Sequence, residues 1–321
     1  MNATTISAGR SCPLRYRYAP QVFQAAPLSG FEDLEVLYVV GGLYGNESAL
    51  QEVIRLFSLE TGRKRMVFNG DFHWFDADPD WFERIQSCVM QFDATRGNVE
   101  TELADDAPDG DAGCGCAYPD WVDDDTVQRS NRMLQDLRAC TTLAHREAMA
   151  LLPMWLRANV GGLRVAIVHG DATSLSGWAF ARENLQTAAQ RAALQPWFDR
   201  ARVDVFASSH TCAPVFASVP GGHEKRWLLN NGAAGMPNLS GDTCGLFTRI
   251  AVHPFQGNAL RYRTQSSSVS LESIAIATDH ASWVSKFQRR WPEGSDAYTS
   301  YYDRITLGSH CALPSTIALE N

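Results

Sequence analysis

Four short apolar runs, each closed by a glycine or serine turn, leave this chain few folds to choose from. They are "VLYVVGG", "RMVFNG", "RVAIVHG" and "VDVFASS". Runs that are apolar at almost every position are buried on both faces, as strands are when helices cover a largely parallel sheet. The stretches around them carry a helical period, which predicts helices from Glu47 to Leu59, Trp81 to Met90, Thr126 to Ala158 and Arg182 to Arg200. Further on, "KRWLLNNG", "LFTRIAVHP" and "ALRYRTQ" follow one another with little helix between them. That pattern favours a mixed sheet, or a second sheet packed on the first, in an α/β protein.

The 321 residues suffice for one large α/β domain with additions. Residues 1–30 are rich in Ala, Ser, Pro and Gln without a clear period and read as a loosely attached arm; the main domain is expected over 31–265. A C-terminal extension, 266–321, carries a helical "HASWVSKFQRRW" and an aromatic "DAYTSYYDRITLG", open to use as a cap on the site or as a homodimer contact. Between Glu100 and Asp125 there are ten acidic residues and no Lys or Arg, so an insertion at about 100–125 is expected as a solvated loop. The net charge of −8 argues against a stable nucleic-acid complex, which needs a surplus of basic residues on one face. No apolar run is long enough for a signal-peptide core or a membrane span, so a cytoplasmic location with no membrane partner is the expectation. The eight cysteines are too dilute for a disulfide scaffold. Cys12, Cys88, Cys140, Cys244 and Cys311 read as small packing residues. Cys114 and Cys116, paired in "GCGC", are open to a ligand or redox use or to a loop covering the cleft.

In open α/β sheets ligands sit beyond the carboxyl ends of the strands. The residues there are Asp71 after "RMVFNG", Asn98 after "QFDATRG", His169 after "RVAIV" and His210 after "VDVFASS". Any one of them alone is a helix cap or a packing residue as readily as a ligand. Together they form an O,O,N,N set suited to a divalent transition metal such as Mn, Fe or Zn.

The ordered series "NGD", "RGNVE", "IVHGD", "SSHTC" and "LNNGAAGMPN", spread over Leu34 to Arg263, resembles the calcineurin-like metallophosphoesterase superfamily, particularly its compact bacterial phosphodiesterases and phosphatases. The resemblance implies a four-layer α/β/β/α sandwich of mixed sheets. It also implies two metals about a bridging carboxylate at Asp71, with Asn98, His169 and His210 completing the second site. The first site is degenerate, because its Asp and two His positions hold Gly42, Tyr44 and Cys212, although Gly45 and Asn46 keep the end of the opening motif. One firmly bound metal is therefore expected. Two residues offer compensation: His73, as ligand or general acid or else as a stacking side chain, and Cys212, as thiolate ligand or else as a buried thiol. The leaving-group histidine of many relatives is replaced by Val99, with Glu100 nearby.

The resemblance and the ligand set together imply a metal-dependent phosphoesterase acting on a phosphorylated small molecule or nucleotide through a metal-activated water, with Asp71, His73 and Asn46 as catalytic residues. The alternative is a weak or inactive relative that binds such a ligand. A dinucleotide-binding reading of the glycine turn fails at Val40, where its fingerprint needs glycine.

Overall fold

The computed structural model describes residues 9–10, 12–105, 113–220, 225–309 and 318–319. Cys311 and residues 106–112 of the acidic insertion lie outside them. Two six-stranded sheets form the centre. The first runs β10 (Leu260–Ser266), β11 (Val269–Ile276), β9 (Gly245–Ala251), β1 (Val36–Val40), β2 (Lys64–Asn69) and β3 (Asp93–Thr95). In it β1, β2 and β3 are parallel and β9 pairs antiparallel with β1. The second runs β12 (Ala318–Leu319), β7 (Pro214–Val219), β8 (Arg226–Asn231), β6 (Val205–Ser208), β5 (Leu163–Val168) and β4 (Trp155–Val160), with β5, β6 and β8 parallel.

Side chains alternate along each strand, and that alternation sorts them into layers. Leu37 and Val39 of β1 meet Val165 and Ile167 of β5 in a core between the sheets. Their neighbours Val36, Tyr38 and Val40 face outward, against Leu50 and Val53 of α1 (Glu47–Leu59), Ile85 of α2 (Pro79–Val89) and Phe287 of α8 (His280–Arg290). On the far side Ala166, Val168 and Phe206 pack with Phe23 and with Phe198 of α7 (Gln195–Ala201). The result is a four-layer α/β/β/α sandwich. Each large apolar side chain buried this way contributes about 1.5–3 kcal/mol. A one-residue slip in β1 would exchange its two faces, so the register is fixed from both sides.

Several expectations are corrected. The helix foreseen from Thr126 to Ala158 is three elements: α4 (Asp124–Arg138), α5 (Leu143–Ala150) and the edge strand β4. Thr142 caps a new helix by accepting from the His145 N–H, and Pro153, which cannot donate to a helix, precedes the strand. The stretch from Arg182 to Arg200 likewise breaks into a 3₁₀ turn, α6 (Ala188–Ala192) and α7, with Thr187 and Pro196 at the restarts. Residues 12–30 form no loose arm, because Tyr16 and Phe23 are fully buried and Phe23 sits edge-on to Trp155 and Phe206. A boundary at 265 falls inside the β10–β11 hairpin, whose second strand lies between β10 and β9. The acidic insertion is not wholly solvated either: Glu100 and Glu102, in α3 (Asn98–Ala104), are buried, as are Cys114 and Cys116. Among the described residues no helix is long and apolar enough to cross a membrane.

Candidate metal centre

The parallel strands of both sheets end on one side, and their terminal turns meet across the gap. Asp71 follows β2, Asn98 opens α3 after β3, His169 follows β5 and His210 follows β6. All four are buried. His169 Nε2 lies 3.3 Å from Asp71 Oδ2, 3.2 Å from Asn98 Oδ1 and 3.1 Å from His210 Nδ1. The acidic and imidazole ligand atoms of Asp71, His169 and His210 are all within 4.8 Å of one another.

The surroundings aim these atoms. His169 donates from Nδ1 to the Asn69 carbonyl at 2.9 Å, which turns the Nε2 lone pair inward. His210 Nε2 lies 3.1 Å from the Cys116 carbonyl, so its Nδ1 lone pair faces the same point. The Asn98 amide donates to the Cys114 carbonyl at 2.8 Å and to Cys116 Sγ at 3.2 Å, leaving Oδ1 toward His169. The four donor atoms thus converge, with the Nδ1 proton of His169, the Nε2 proton of His210 and the Asn98 amide protons directed away. Such a donor set suits a transition metal.

With no ion bound, these groups set one another's charge. Burial opposes ionisation of Asp71, but the neighbouring His169 and His210 hold its carboxyl below the usual range. Burial also works against a charged His169, yet Asp71 outweighs it and the group is pushed up. His210 is driven down to about 3 by burial and by its neighbour His169, so it is a neutral imidazole with a lone pair to offer. Asp71 has φ +53°, as does Cys212, and Tyr44 has φ +54°. Left-handed non-glycine residues cost energy and collect where geometry serves a site. Gly97 is needed for a different reason, since a Cβ there would lie 2.3 Å from Asp71 Oδ1.

Glu100, noted in the sequence only as a neighbour of Val99, has a larger part. Its carboxylate accepts from the backbone N–H groups of Asp71, Phe72 and Gly97 at 2.8, 3.0 and 2.8 Å. It therefore ties the β2 and β3 turns together beneath the ligands. Burial and the charge of Asp71 push this carboxyl up, while the N–H groups of Gly97 and Asp71 favour its ionised form.

The other expected site residues lie elsewhere. His73 has both ring nitrogens engaged, Nδ1 2.6 Å from Asp76 and Nε2 2.8 Å from Gln86, and stacks on Phe82 at 3.7 Å. It braces its loop and does not reach the cleft. Asn46 caps α1 by accepting from the Ala49 N–H and donates to the Gly235 carbonyl at 3.0 Å, so both ends of its amide are engaged. Cys212 does line the cleft, with Sγ 2.6 Å from the Tyr44 hydroxyl, and burial pushes its thiol up, against a thiolate ligand. Tyr44 fills the opening turn: a Cβ on Gly42, itself at φ +66°, would meet the Tyr44 ring at 2.8 Å.

The cleft beside the cluster encloses about 250 Å³. Its walls include Trp74, Tyr118, Trp178 and, from α9 (Asp296–Leu307), Tyr301 and Arg304. The C-terminal extension therefore caps the site. Trp291 of that extension donates from Nε1 to the Phe75 carbonyl, and Lys286 sits over the Trp81 ring at 4.0 Å.

No protein-family model matches the chain, and no curated protein matches it. Solved structures do. A metallophosphoesterase from Sphaerobacter thermophilus is similar over 86% of this chain and 99% of its own, with TM-score 0.53 at 14% identity. A hypothetical protein from Pyrococcus horikoshii OT3 is similar over the same shares, with TM-score 0.58 at 13% identity. The chain shares the fold of these two structures, and it places a candidate metal-ligand cluster, Asp71, His169 and His210, at its strand ends.

Proposed function

We propose that this chain is a metal-dependent phosphoester hydrolase holding one divalent transition metal, Mn, Fe or Zn. The convergence of Asp71 Oδ2, Asn98 Oδ1, His169 Nε2 and His210 Nδ1 carries this reading. When bound, the ion supplies Lewis-acid polarisation of a phosphoryl oxygen and lowers the pKa of a water. The protein's part is to orient and to exclude. Asn69 and Cys116 hold the two imidazoles in the tautomers that face the ion, and the Asn98 amide is locked by its two donated bonds. The aromatic walls keep bulk water from the charged centre, which strengthens every electrostatic contact inside.

A single metal is supported by the opening turn, where Gly42 brings no ligand atom and the Tyr44 ring with Cys212 takes the space. Hydrolysis is then slow, because one charge rather than two meets the developing negative charge. A cleft of about 250 Å³ lies below the usual span of about 300–1,000 Å³ for ligand pockets, which favours a phosphorylated small molecule over a nucleotide as substrate. Aromatic walls favour a planar organic group.

The test pairs metal analysis of the purified protein with turnover of a bis-aryl phosphate. Wild type should carry about one equivalent of metal and turn the substrate over. Because second-shell changes alone cost about 10–100-fold, Asp71→Asn and His169→Ala should each lose metal and at least about 100-fold in rate. Turnover that persists in both variants, or after complete chelation, would sink the proposal.

A further inference from the structure

Among the described residues lining the cleft, Arg304 is the single Lys or Arg. Its guanidinium is tethered by two backbone carbonyls, Nε to Pro237 at 3.2 Å and Nη2 to Cys212 at 2.8 Å. No carboxylate among the described residues pairs with it, in a protein with eight more acidic than basic residues. Nη1 has no hydrogen-bond partner among the described residues. A fixed, unneutralised guanidinium beside a metal-ligand cluster is the arrangement that recognises a phosphoryl oxygen, because the fork is already oriented before the anion arrives.

Its place adds a second argument. Cys212, whose carbonyl holds Arg304, contacts the Tyr44 phenol through Sγ, and this is the pair that fills the depleted half of the site. We propose that Arg304, delivered by α9, is the phosphate-binding residue of this cleft and supplies there the positive charge that a second cation would otherwise bring. The inference rests on the phosphoesterase reading. It assigns to the C-terminal helix a direct part in binding the anionic substrate.

Inorganic phosphate is the probe, titrated calorimetrically into metal-free wild type, Arg304→Gln and Arg304→Lys. A hydrogen bond to a charged partner makes the expected loss in Arg304→Gln at least about 10-fold in affinity. Arg304→Lys, which keeps the charge and loses the fork, should lose at least about 3-fold and keep the wild-type melting temperature. In metal-loaded protein, kcat/KM for the bis-aryl phosphate should fall in Arg304→Gln with bound metal unchanged, and recover in part in Arg304→Lys. Phosphate affinity equal to wild type in either folded variant, or no phosphate binding by wild type, overturns the role of Arg304. Should Arg304→Gln fail to fold, Arg304→Lys decides alone. Failure of wild type to take up metal would defeat the phosphoesterase reading instead, while the metal-free titration still judges Arg304.

Discussion

At the level of single residues, the Tyr44 ring stands where a side chain at position 42 would have to enter, and its hydroxyl meets Cys212 across the cleft. A carboxylate and an imidazole in the opening turn, with an imidazole at 212, would rebuild a ligand set around Asp71. Aspartate tolerates a left-handed backbone better than most residues, and removing the Tyr44 ring frees the space beside Gly42. Gly42→Asp, Tyr44→His and Cys212→His made together should therefore raise bound metal from about one to about two per chain, measured by elemental analysis, whereas Tyr44→Ala alone leaves it at about one. Unchanged metal in the triple variant would show that the loop path, and not the missing side chains, excludes the second ion. Asp71, Asn98, His169 and His210 could be picked from the sequence because each follows an apolar run. His73 was misplaced by proximity: two positions after Asp71, it turns to Asp76, Gln86 and Phe82, since the chain reverses at the left-handed Asp71.

At the level of elements, the start of α3 shows how two turns are made into one platform. Glu100 sits in its first turn and collects N–H groups from the β3–α3 junction and from the loop after β2. Glu100→Ala leaves these donors buried and unsatisfied at about 1–3 kcal/mol each, so a loss of about 3–5 kcal/mol is expected by urea unfolding. The same variant should bind metal more weakly, because Asp71 loses the anchor of its own backbone. If stability drops while metal affinity holds, the platform argument fails. In the sequence Glu100 was one of ten acidic residues in a stretch that looked solvated, and no periodicity distinguishes it from the others. Helix α9 posed the same difficulty: its aromatic residues were visible, but not that Tyr301 and Arg304 would reach the cleft.

At the level of the whole molecule, an ionic network away from the site ties α1 to the first sheet. Arg249 of β9 bridges Glu60, just past α1, and Glu272 of β11, each at 2.6 Å, and the Tyr38 hydroxyl donates to Glu60 at 2.6 Å. Burial opposes ionisation of Glu60, but the bonds from Arg249 and Tyr38 prevail and its folded pKa lies below the ordinary 4.5. A depressed carboxyl stabilises the fold above its unfolded pKa, and that contribution fades as pH falls from about 4.5 through the folded value. Glu60→Gln should cost about 3 kcal/mol near neutral pH, with Arg249 keeping Glu272, and should flatten the acid limb of a stability–pH curve. An acid limb as steep as wild type would remove Glu60 from the account. The sequence by itself determined the α/β class, the main parallel strands and the four strand-end candidates for a metal, because a strand buried on both faces must be apolar throughout and its turn must expose whatever comes next. It also identified a depleted opening turn. Only the tertiary structure decided that β4 is a strand and that residues 12–30 are packed, since edge strands and arms take their apolar partners from distant segments. Tertiary structure alone also made Glu100 a tie, Tyr44 and Cys212 a plug and Arg304 a cleft residue. Those roles come from side chains that meet across elements far apart in the chain, which leave no period or spacing to read.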